Sequence, residues 1–382
     1  MIFKDQILKY NPNPSKSYSH RYLILCSFID DVFEIENINL NNDILETINV
    51  LVKLGKDINI IDNKIIVKGS RSFDFTNEVS INESGTTLRL LLPLLSYIGV
   101  KRIKVKDRLF ERPIEEYNAL IEKKENNYIY LKRGEISEVN GSISSQFISG
   151  LLIFNALTGN KKPLVIKNKI VSKKYIEITF DVLNKLGFVF DGYTYVGKQE
   201  HINKIYVEDD YSSAANYIVY GLLHDGINLR NLNLESLQGD RKILNMFGDD
   251  ITLNNDLIIV HKGKLRPIFV DLDETIDLGP ILFVYALFAK GESRFINYDR
   301  LKDKESDRLN SMLQLFDKLG VKYRFADGSF YIEGKDNYPF VEAKSYNDHR
   351  IAMSLIVFGL TNPNGVDIDD ISCIKKSVLK FI

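Results

Sequence analysis

Six apolar, helix-length segments recur at even spacing along this 382-residue chain. Each follows a small or acidic polar residue and is succeeded by a break and a short segment rich in Ile, Val, Tyr or Phe. The copies begin at Ser17, Thr86, Ser144, Ser212, Asp277 and Asp348. Neighbouring starts are therefore 58 to 71 residues apart. Such self-similarity indicates a repeat architecture in which every copy is one supersecondary unit.

Amphipathic segments lie between the apolar ones, near residues 43, 174 and 305. Segments such as residues 57–69 and 321–334 have the composition of hairpin strands. Each repeat is thus predicted to follow the order strand, helix, strand, helix, strand, strand. A helix that is apolar all round belongs in a core, whereas an amphipathic helix covers a surface. We therefore expect two similar domains, each with three buried helices wrapped by sheets.

The polar residue at the start of each apolar segment lies where an N-cap belongs. If the buried helices run parallel, their N-termini converge on one face of each domain. Each terminus presents free N–H groups and favours an anion by roughly 0.3–1 kcal/mol. Two such faces opposed across a hinge would bind anions strongly even though the net charge of the chain is only -1.

Composition narrows the possible functions. Lys and Arg number 50 and Asp and Glu 51, so the chain has no general affinity for nucleic acid or an anionic membrane. Two cysteines, Cys26 and Cys373, argue against a disulfide framework or zinc cluster and fit a reducing cytoplasm. No signal peptide is expected, and the apolar stretches are too short to span a bilayer. Phosphate-loop, dinucleotide-binding and HExxH motifs do not occur.

Polar residues cluster where the repeats of the first half begin. Lys16 supplies a point charge, Ser17 can cap a helix or donate to a phosphate, and Arg21 lies one turn later. Gly85 permits close backbone approach of a ligand, and Arg112 precedes a proline that we place at the first position of a helix. The other candidates are Ser144, Ser145, Gln146, Ser172 and Tyr175. Taken singly, each is also explained by an ordinary capped helix or a solvated charge.

The second half adds acidic and basic residues. Asp277 heads an apolar helix, where a carboxylate is either a cap or a base. Lys304 and Arg308 are four residues apart and share a helix face. His349 by itself predicts a structural hydrogen bond rather than a catalyst. The common position of these residues at repeat boundaries favours anion binding over a chance distribution.

A set of motifs in fixed order is similar to the 5-enolpyruvylshikimate-3-phosphate synthase family. The motifs are KSYSHR, SGTTLR, ERP, GSISSQFISGLL, VSKKYIEIT, VEDDYSSAANY, QGDRK, ALFAKG, KESDR, YNDHRIAM and IKKS. They cover the chain essentially from residue 14 to its end. A sister family that transfers enolpyruvate to UDP-N-acetylglucosamine resembles this chain in repeat architecture. It carries Lys-Asn where this chain has Lys16-Ser17, and usually a reactive cysteine near position 100, where this chain has none.

The resemblance implies an α/β fold of two domains, each built from three βαβαββ repeats as an inside-out barrel, with the active site in the interdomain cleft. Residues 14–208 would bind mainly shikimate-3-phosphate. Residues 1–13 with 209–382 would bind mainly phosphoenolpyruvate and complete the site. The implied partners are these two small molecules, with no cofactor, metal, nucleic acid or membrane. A cytoplasmic monomer is expected.

Site residues are carried over position by position from the family. The implied shikimate-3-phosphate ligands are Lys16, Ser17, Arg21, Ser144, Ser145, Gln146, Ser172, Tyr175, Asp277 and Lys304. The implied phosphoenolpyruvate ligands are Lys16, Gly85, Arg112, Gln146, Arg308, Arg350 and Lys376. The implied catalytic residues are Asp277, Glu305 and Lys16. The chain departs from the family at Glu83, where many relatives have Asn, and at Arg300, where Asn is frequent.

The implied reaction is an addition followed by an elimination. Guanidinium groups suit the phosphates and the carboxylate of the substrates, and a general base and acid each typically contribute 10²–10⁴-fold. Asp277 is expected to deprotonate the 5-hydroxyl, and Glu305 with Lys16 to move the C3 proton. Two alternatives stay open at this point: a non-catalytic binder of phosphorylated metabolites, and an enolpyruvyl transferase for a different alcohol.

Overall fold

The structure is a computed structural model, and it describes residues 1–4 and 6–378. The chain divides into two compact units. The continuous unit comprises Pro14–Glu208, and the discontinuous unit comprises Met1–Asn13 together with Asp209–Ile382. The substrate that the sequence analysis gave to each unit stays a prediction.

Helices in the continuous unit follow the predicted order of apolar and amphipathic segments. They are α1 (Lys16–Ser27), α2 (Asn42–Lys53), α3 (Gly85–Ile98), α4 (Asp107–Glu111), α5 (Ser145–Thr158) and α6 (Lys173–Lys185). Those of the discontinuous unit are α7 (Tyr211–Leu223), α8 (Ile243–Met246), α9 (Gly279–Phe288), α10 (Arg308–Leu319) and α11 (His349–Thr361). Short 3-10 helices span Glu115–Leu120, Gly239–Lys242, Gly248–Asp250, Ile276–Leu278, Asp299–Asp303 and Ser372–Lys376.

The strands are short and lie between these helices. Those up to residue 140 are β1 (Ile2–Phe3), β2 (Val32–Glu36), β3 (Asp57–Ile61), β4 (Lys64–Lys68), β5 (Glu78–Ser80), β6 (Arg102–Lys104), β7 (Ile121–Glu125), β8 (Tyr128–Leu131) and β9 (Glu138–Asn140). Those up to residue 260 are β10 (Val165–Lys167), β11 (Phe188–Asp191), β12 (Thr194–Lys198), β13 (Lys204–Tyr206), β14 (Ile227–Arg230), β15 (Ile251–Asn254) and β16 (Leu257–Val260). The remainder are β17 (Phe269–Asp271), β18 (Gly291–Ile296), β19 (Lys322–Ala326), β20 (Ser329–Gly334), β21 (Val341–Ala343) and β22 (Val366–Ile368).

One sheet pattern recurs across the repeats. A parallel pair of strands is followed by an antiparallel hairpin, as in the orders β5-β6-β8-β7 and β17-β18-β20-β19. The first repeat obtains its parallel partner from β13, at the far end of the continuous unit. The last repeat is completed by β1, whose Ile2 and Phe3 pair with Asp367 and Val366. The complete pattern is present in the first, second and fifth repeats. In the third repeat the parallel pair β9-β10 and the hairpin β11-β12 form separate two-stranded sheets, and the fourth sheet, β14-β16-β15, has only antiparallel pairs among the described residues. The predicted repeat is therefore confirmed in part, and its first and last copies are closed by distant strands.

The apolar helices are buried and the amphipathic ones are only partly so. Nearly every residue of α7, α9 and α11 is buried in the discontinuous unit, and most of α1, α3 and α5 in the continuous one. By contrast, α2, α6 and α10 bury one face. Each unit is thus built with helices inside and sheets outside, as the two segment types predicted.

The predicted helix caps are correct in part. Ser144 and Asp348 cap α5 and α11, because their side chains accept from the backbone nitrogens of Gln146 and Arg350. The caps of α3 and α7, however, are Ser84 and Asp210, each two residues before the predicted starter. These two residues have extended backbones, which is the conformation of an N-cap.

Two further local predictions are wrong. Ser17 lies within α1, and Asp277 lies in the 3-10 turn before α9, so neither caps a helix. Pro113 is followed by the 3-10 helix Glu115–Leu120 and does not start an α-helix, because β7 begins directly afterwards at Ile121.

An internal proline explains how α3 and α5 meet. Pro93 lies inside α3 and has no N–H to donate to the carbonyl of Arg89 four residues earlier. The buried hydroxyl of Tyr117 donates to that carbonyl at 2.8 Å. A Cβ on Gly150 of α5 would overlap with the same carbonyl oxygen and with the Tyr117 hydroxyl. Only glycine therefore permits this approach of the two helices.

Candidate active site

Arg21 joins the N-terminal parts of three helices in the continuous unit. Its Nε donates to Thr179 Oγ1 of α6 at 2.7 Å, and Nη2 donates to the Tyr175 carbonyl at 3.0 Å. Nη2 also lies 3.3 Å from Ser149 Oγ of α5, while Nη1 donates to the Ser17 carbonyl at 2.7 Å. Burial lowers the pKa of Arg21 to about 10, which leaves it cationic at neutral pH. These contacts give Arg21 a positioning role, and its direct contact with substrate stays a prediction.

Gln146 connects α5 to α3. Its Nε2 donates to Thr86 Oγ1 at 2.9 Å, and its Oε1 accepts from Arg89 Nη1 at 2.8 Å. Ser145, the first residue of α5, is buried beside it. The predicted ligands Ser144, Ser145 and Gln146 therefore lie together at the N-terminal end of α5, where backbone N–H groups favour anions, and Gln146 also contacts the start of α3.

A chain of buried hydroxyl groups connects α1, α2 and α3. His20 Nδ1 lies 2.7 Å from Thr47 Oγ1, which lies 2.7 Å from Thr87 Oγ1. Burial, together with the charges of Lys16 and Arg21, holds the pKa of His20 well below its usual range. His20 is therefore neutral and serves as a hydrogen-bonding residue.

Lys16, a predicted catalytic residue, is ion-paired in this structure. Its Nζ lies 2.9 Å from Oδ2 of Asp43 on α2, and both side chains are largely buried. The pair fixes the ammonium group at the start of α1. The amphipathic pattern of α2 predicted a surface helix without a site residue.

Gly85 and Arg112 are close neighbours. A Cβ built on Gly85 would overlap with the guanidinium of Arg112. The absence of a side chain at the start of α3 thus lets a cation lie against the helix N-terminus, where phosphate or carboxylate groups bind most readily. The sequence predicted both residues as phosphoenolpyruvate ligands, and the structure brings them together.

Ser172 adopts a left-handed backbone conformation with φ 50° and ψ 45° immediately before α6. For a residue with a side chain this conformation costs of order 1–3 kcal/mol, and such strain is concentrated at binding and catalytic sites. The hydroxyl of Ser172, which is buried, was one of the predicted phosphate ligands.

In the discontinuous unit, one guanidinium pairs with two carboxylates. Arg308 Nη1 lies 2.7 Å from Asp277 Oδ1, and its Nε lies 2.8 Å from Asp348 Oδ2. Lys304 Nζ lies 3.3 Å from the same oxygen of Asp277. The backbone nitrogen and hydroxyl of Ser306 both donate to Asp348 at 3.1 Å. These contacts place the N-terminal turns of α10 and α11 next to the turn that precedes α9.

Two buried aspartates near these cations have pKa values that are shifted in opposite directions. Burial raises the pKa of Asp277, but the charges of Lys304, Arg308 and Arg350 outweigh it and hold that pKa well below its usual range. Burial and the charge of Asp277 raise the pKa of Asp240 to about 7. Asp240 accepts a hydrogen bond from the Ser212 hydroxyl at the start of α7. Asp277 is therefore ionised at neutral pH, whereas Asp240 is close to its titration midpoint.

Arg350 carries donors that lack acceptors. It is 6% exposed, and its Nε and Nη1 have no hydrogen-bond partner within residues 1–4 and 6–378. A buried cationic donor without an acceptor is costly unless a ligand supplies one. Lys376, another predicted phosphoenolpyruvate ligand, donates from Nζ to the carbonyl of Asn347 at 2.6 Å, close along the chain to Arg350.

Glu305 is bonded to His349. The two side chains lie 2.9 Å apart between Oε2 and Nδ1, so His349 makes the structural hydrogen bond that the sequence suggested. Ligand atoms of Glu305, Asp348 and His349 lie within 4.8 Å of one another, which is close enough for a metal ion. Arg308 already neutralises Asp348, however, and we assign no metal to this cluster.

The two residues that depart from the family have partners of their own. Arg300 donates from Nη1 to the Asp273 carbonyl at 3.1 Å and lies 3.5 Å from its carboxylate. Glu83 Oε1 lies 3.2 Å from Lys106 Nζ. Neither contact indicates a direct role in binding a substrate.

Sequence reasoning missed Asp43, Thr47, Asp240 and Asp348 as site residues. Asp240 lies within the QGDRK motif and Asp348 within YNDHRIAM, so motif membership was the available signal. Asp43 and Thr47 had a weaker one: they lie four residues apart on one face of a helix whose Asn42 and Asn49 are exposed.

A family profile described as EPSP synthase (3-phosphoshikimate 1-carboxyvinyltransferase) matches residues 8–382. The chain belongs to the EPSP synthase family. A 3-phosphoshikimate 1-carboxyvinyltransferase of Clostridium perfringens is 36% identical, with 96% of this chain and 92% of that protein covered. A protein of the same name from Brachyspira hyodysenteriae is 32% identical, with 96% of this chain and 93% of that one covered. The predicted family and enzyme class, a transferase of the shikimate pathway in aromatic amino acid biosynthesis, are confirmed.

The fold agrees with solved members of the EPSP synthase family. An EPSP synthase from Acinetobacter baumannii superposes with a TM-score of 0.73 at 21% identity, over all of this chain and 96% of that one. The predicted fold class is thereby confirmed. Among the described residues, none of the helices is both long and apolar enough to cross a membrane.

Proposed function

We propose that this chain transfers the enolpyruvyl group of phosphoenolpyruvate to the 5-hydroxyl of shikimate-3-phosphate and releases phosphate, using the residues at the helix N-termini described above. Membership of the EPSP synthase family gives the reaction. The observation that carries the assignment of residues is Arg350: its guanidinium is buried, two of its nitrogens have no acceptor in the part of the chain that the structure describes, and its charge acts on Asp277. A doubly anionic substrate would supply the acceptors it lacks.

The residues that we assign to shikimate-3-phosphate have hydroxyl, amide or basic side chains, apart from the carboxylate of Asp277. They are Lys16, Ser17, Arg21, Ser144, Ser145, Gln146, Ser172, Tyr175, Asp277 and Lys304. The residues that we assign to phosphoenolpyruvate are Lys16, Gly85, Arg112, Gln146, Arg308, Arg350 and Lys376. Support comes from the buried donors at the starts of α3, α5 and α6 and from the left-handed backbone of Ser172.

In the addition step, the 5-oxygen bonds to C2 of phosphoenolpyruvate, its proton passes to Asp277, and C3 gains a proton. The low pKa of Asp277 ensures that the carboxylate is ionised at neutral pH but makes it a weak base. Proton transfer therefore becomes favourable only as the new C–O bond forms, which is general-base catalysis in the transition state.

In the elimination step, the bond between C2 and the phosphate oxygen breaks, C3 loses a proton, and the double bond returns. We assign delivery and retrieval of the C3 proton to Glu305 together with Lys16. The hydrogen bond between Glu305 and His349 fixes the carboxylate, and the ion pair between Lys16 and Asp43 fixes the ammonium group. Both groups are thereby positioned before a substrate arrives.

The proposal is tested by measuring phosphate release with both substrates together and with each one alone. Release that requires both supports the proposal, and a protein that binds both without releasing phosphate is the non-catalytic alternative. Asp277→Ala with near-normal kcat would exclude the first acid–base role. Unchanged exchange of deuterium at C3 in Glu305→Gln would exclude the second.

A different acceptor alcohol is the other alternative. Replacing shikimate-3-phosphate by other phosphorylated or nucleotide-linked alcohols in the same assay decides between acceptors. We also propose that the protein acts as a monomer in the cytoplasm. The buried free thiols of Cys26 and Cys373 suit a reducing compartment, and light scattering after gel filtration measures the oligomeric state.

A further inference from the structure

The backbone of the turn before α3 donates hydrogen bonds to Glu46, a side chain of α2. Both carboxylate oxygens of Glu46 lie close to the backbone nitrogen of Glu83, at 3.1 and 3.2 Å, and Oε2 also accepts from the backbone nitrogen of Ser84 at 3.0 Å. Backbone donors at the start of a helix have no partner within it and need one elsewhere. One carboxylate therefore satisfies two consecutive donors.

Ser84 also links this turn to the first turn of α3 through its side chain. Its hydroxyl oxygen accepts from the backbone nitrogen of Thr87 at 3.2 Å and lies 2.7 Å from Thr87 Oγ1. Ser84 and Thr87 are fully buried. With bonds on both sides, the backbone leading into Gly85 is restricted to one path.

Glu46 reaches this turn because of its place on α2. Asp43, Glu46 and Thr47 lie three and four residues apart and share a helix face. Asp43 pairs with Lys16 and Thr47 contacts Thr87, so this face packs against α1 and α3. Burial raises the pKa of Glu46, and the bonds from Ser84 and Glu83 lower it in part. Glu46 is thus a partly buried carboxylate that binds backbone rather than a solvated surface acid.

We propose that Glu46 is a positioning residue for phosphoenolpyruvate binding, because it fixes the backbone of Glu83 and Ser84 and through it Gly85 and Arg112. The inference rests on the proposed function, in which Gly85 and Arg112 bind phosphoenolpyruvate. Glu46 itself does not touch the substrate. The Arg112 guanidinium lies directly against the backbone of Gly85. If the turn moves, Gly85 moves with it, and the guanidinium loses its contact with the start of α3.

The test is Glu46→Gln, which keeps the length of the side chain but replaces one acceptor oxygen by an NH₂ group that faces N–H donors. We expect the KM for phosphoenolpyruvate to rise about tenfold, with the KM for shikimate-3-phosphate within about twofold and kcat within about threefold. Glu46→Asp keeps the charge on a shorter side chain and should be intermediate. Glu34→Gln removes a carboxylate from β2 that pairs with Lys64 at 2.6 Å, and it is the matched control without effect.

A second readout does not depend on catalysis. Amide hydrogen exchange of a peptide covering residues 81–88 should be faster in Glu46→Gln than in the wild type and unchanged in Glu34→Gln. Equal protection in Glu46→Gln and the wild type would overturn the inference, as would a parallel rise of both KM values. If the wild type does not release phosphate from the two substrates, the proposed function fails, while the exchange rates still decide whether Glu46 holds the turn.

Discussion

The guanidinium of Arg308 lies 2.7 Å from the carboxylate of Asp277, so a predicted substrate ligand and the predicted general base are direct partners. The same guanidinium also binds Asp348, which is fully buried. Burial lowers the pKa of Arg308, but the negative charges of Asp348, Asp277 and Glu305 outweigh burial and raise this pKa above its usual value. Arg308 therefore orders the site whether or not it also contacts phosphoenolpyruvate.

Replacing Arg308 by Gln should destabilise the protein as well as inactivate it. The substitution leaves the Asp348 carboxylate buried without its cation, and removing one partner of a buried pair costs about 3–5 kcal/mol. Urea denaturation measures the free energy of unfolding, and phosphate release measures activity. The double variant Arg308→Gln/Asp348→Asn should recover much of the stability but not the activity. A loss below about 1 kcal/mol in the single variant would show that the pair is not the stabilising element.

The stability of the protein should depend on the charge of Asp240. Its pKa is raised from 3.8 to about 7, so its contribution to the free energy of unfolding is fully present below pH 3.8 and is lost as the pH rises through about 7. Asp240→Asn cannot lose a proton. Relative to the wild type, this variant should therefore gain about 2–3 kcal/mol between pH 5 and pH 8. The exposed Asp256 provides the control variant Asp256→Asn, and a difference that stays constant with pH in Asp240→Asn would contradict the assignment.

Gly85→Ala should weaken phosphoenolpyruvate binding with little effect on stability. The backbone at Gly85 is helical and accepts alanine, but the new Cβ would displace the end of the Arg112 side chain. We expect the KM for phosphoenolpyruvate to rise about tenfold with a smaller change in kcat, as for loss of uniform binding. Gly197→Ala, at a position where a Cβ meets open space, is the matched control in steady-state kinetics. An unchanged KM for phosphoenolpyruvate in Gly85→Ala would show that Gly85 and Arg112 do not bind this substrate.

The bond between Tyr117 and the Arg89 carbonyl should be needed only because of Pro93. Tyr117→Phe leaves the carbonyl without a donor, which costs about 1–3 kcal/mol. In a Pro93→Ala background the helix regains its own N–H donor, so the same substitution should cost less. A double-mutant cycle by chemical denaturation measures the difference. Equal costs in both backgrounds would show that the proline is not the reason for the bond.

The sequence predicted the repeat and the burial of the helices because both depend on local hydrophobic pattern, as α5 and α9 show. It could not predict which strands close the first and last sheets, since β13 and β1 are recruited from distant parts of the chain. Nor could it show that Asp43 and Thr47 are buried, because polar residues on an amphipathic helix are ordinarily solvated.

Motifs identified the predicted site residues, but they did not identify the residues that hold those side chains and turns in place. Arg350 and Asp277 stand at the starts of repeats and could be identified by position, whereas the Glu46 carboxylate has no motif around it. Its role depends on the meeting of α2 with the turn before α3, which is a tertiary contact. The pKa of Asp240 likewise depends on neighbours that are distant in sequence.

The closure of the last sheet by β1 also affects how the protein folds during synthesis. Strand β1 leaves the ribosome long before its partners at Val366 and Asp367. The continuous unit has all its strands once residue 208 has emerged, and domains of a nascent chain generally fold as they appear. The discontinuous unit must instead keep β1 unpaired until Val366 and Asp367 have also emerged. The order of synthesis therefore sets the order in which the two units fold.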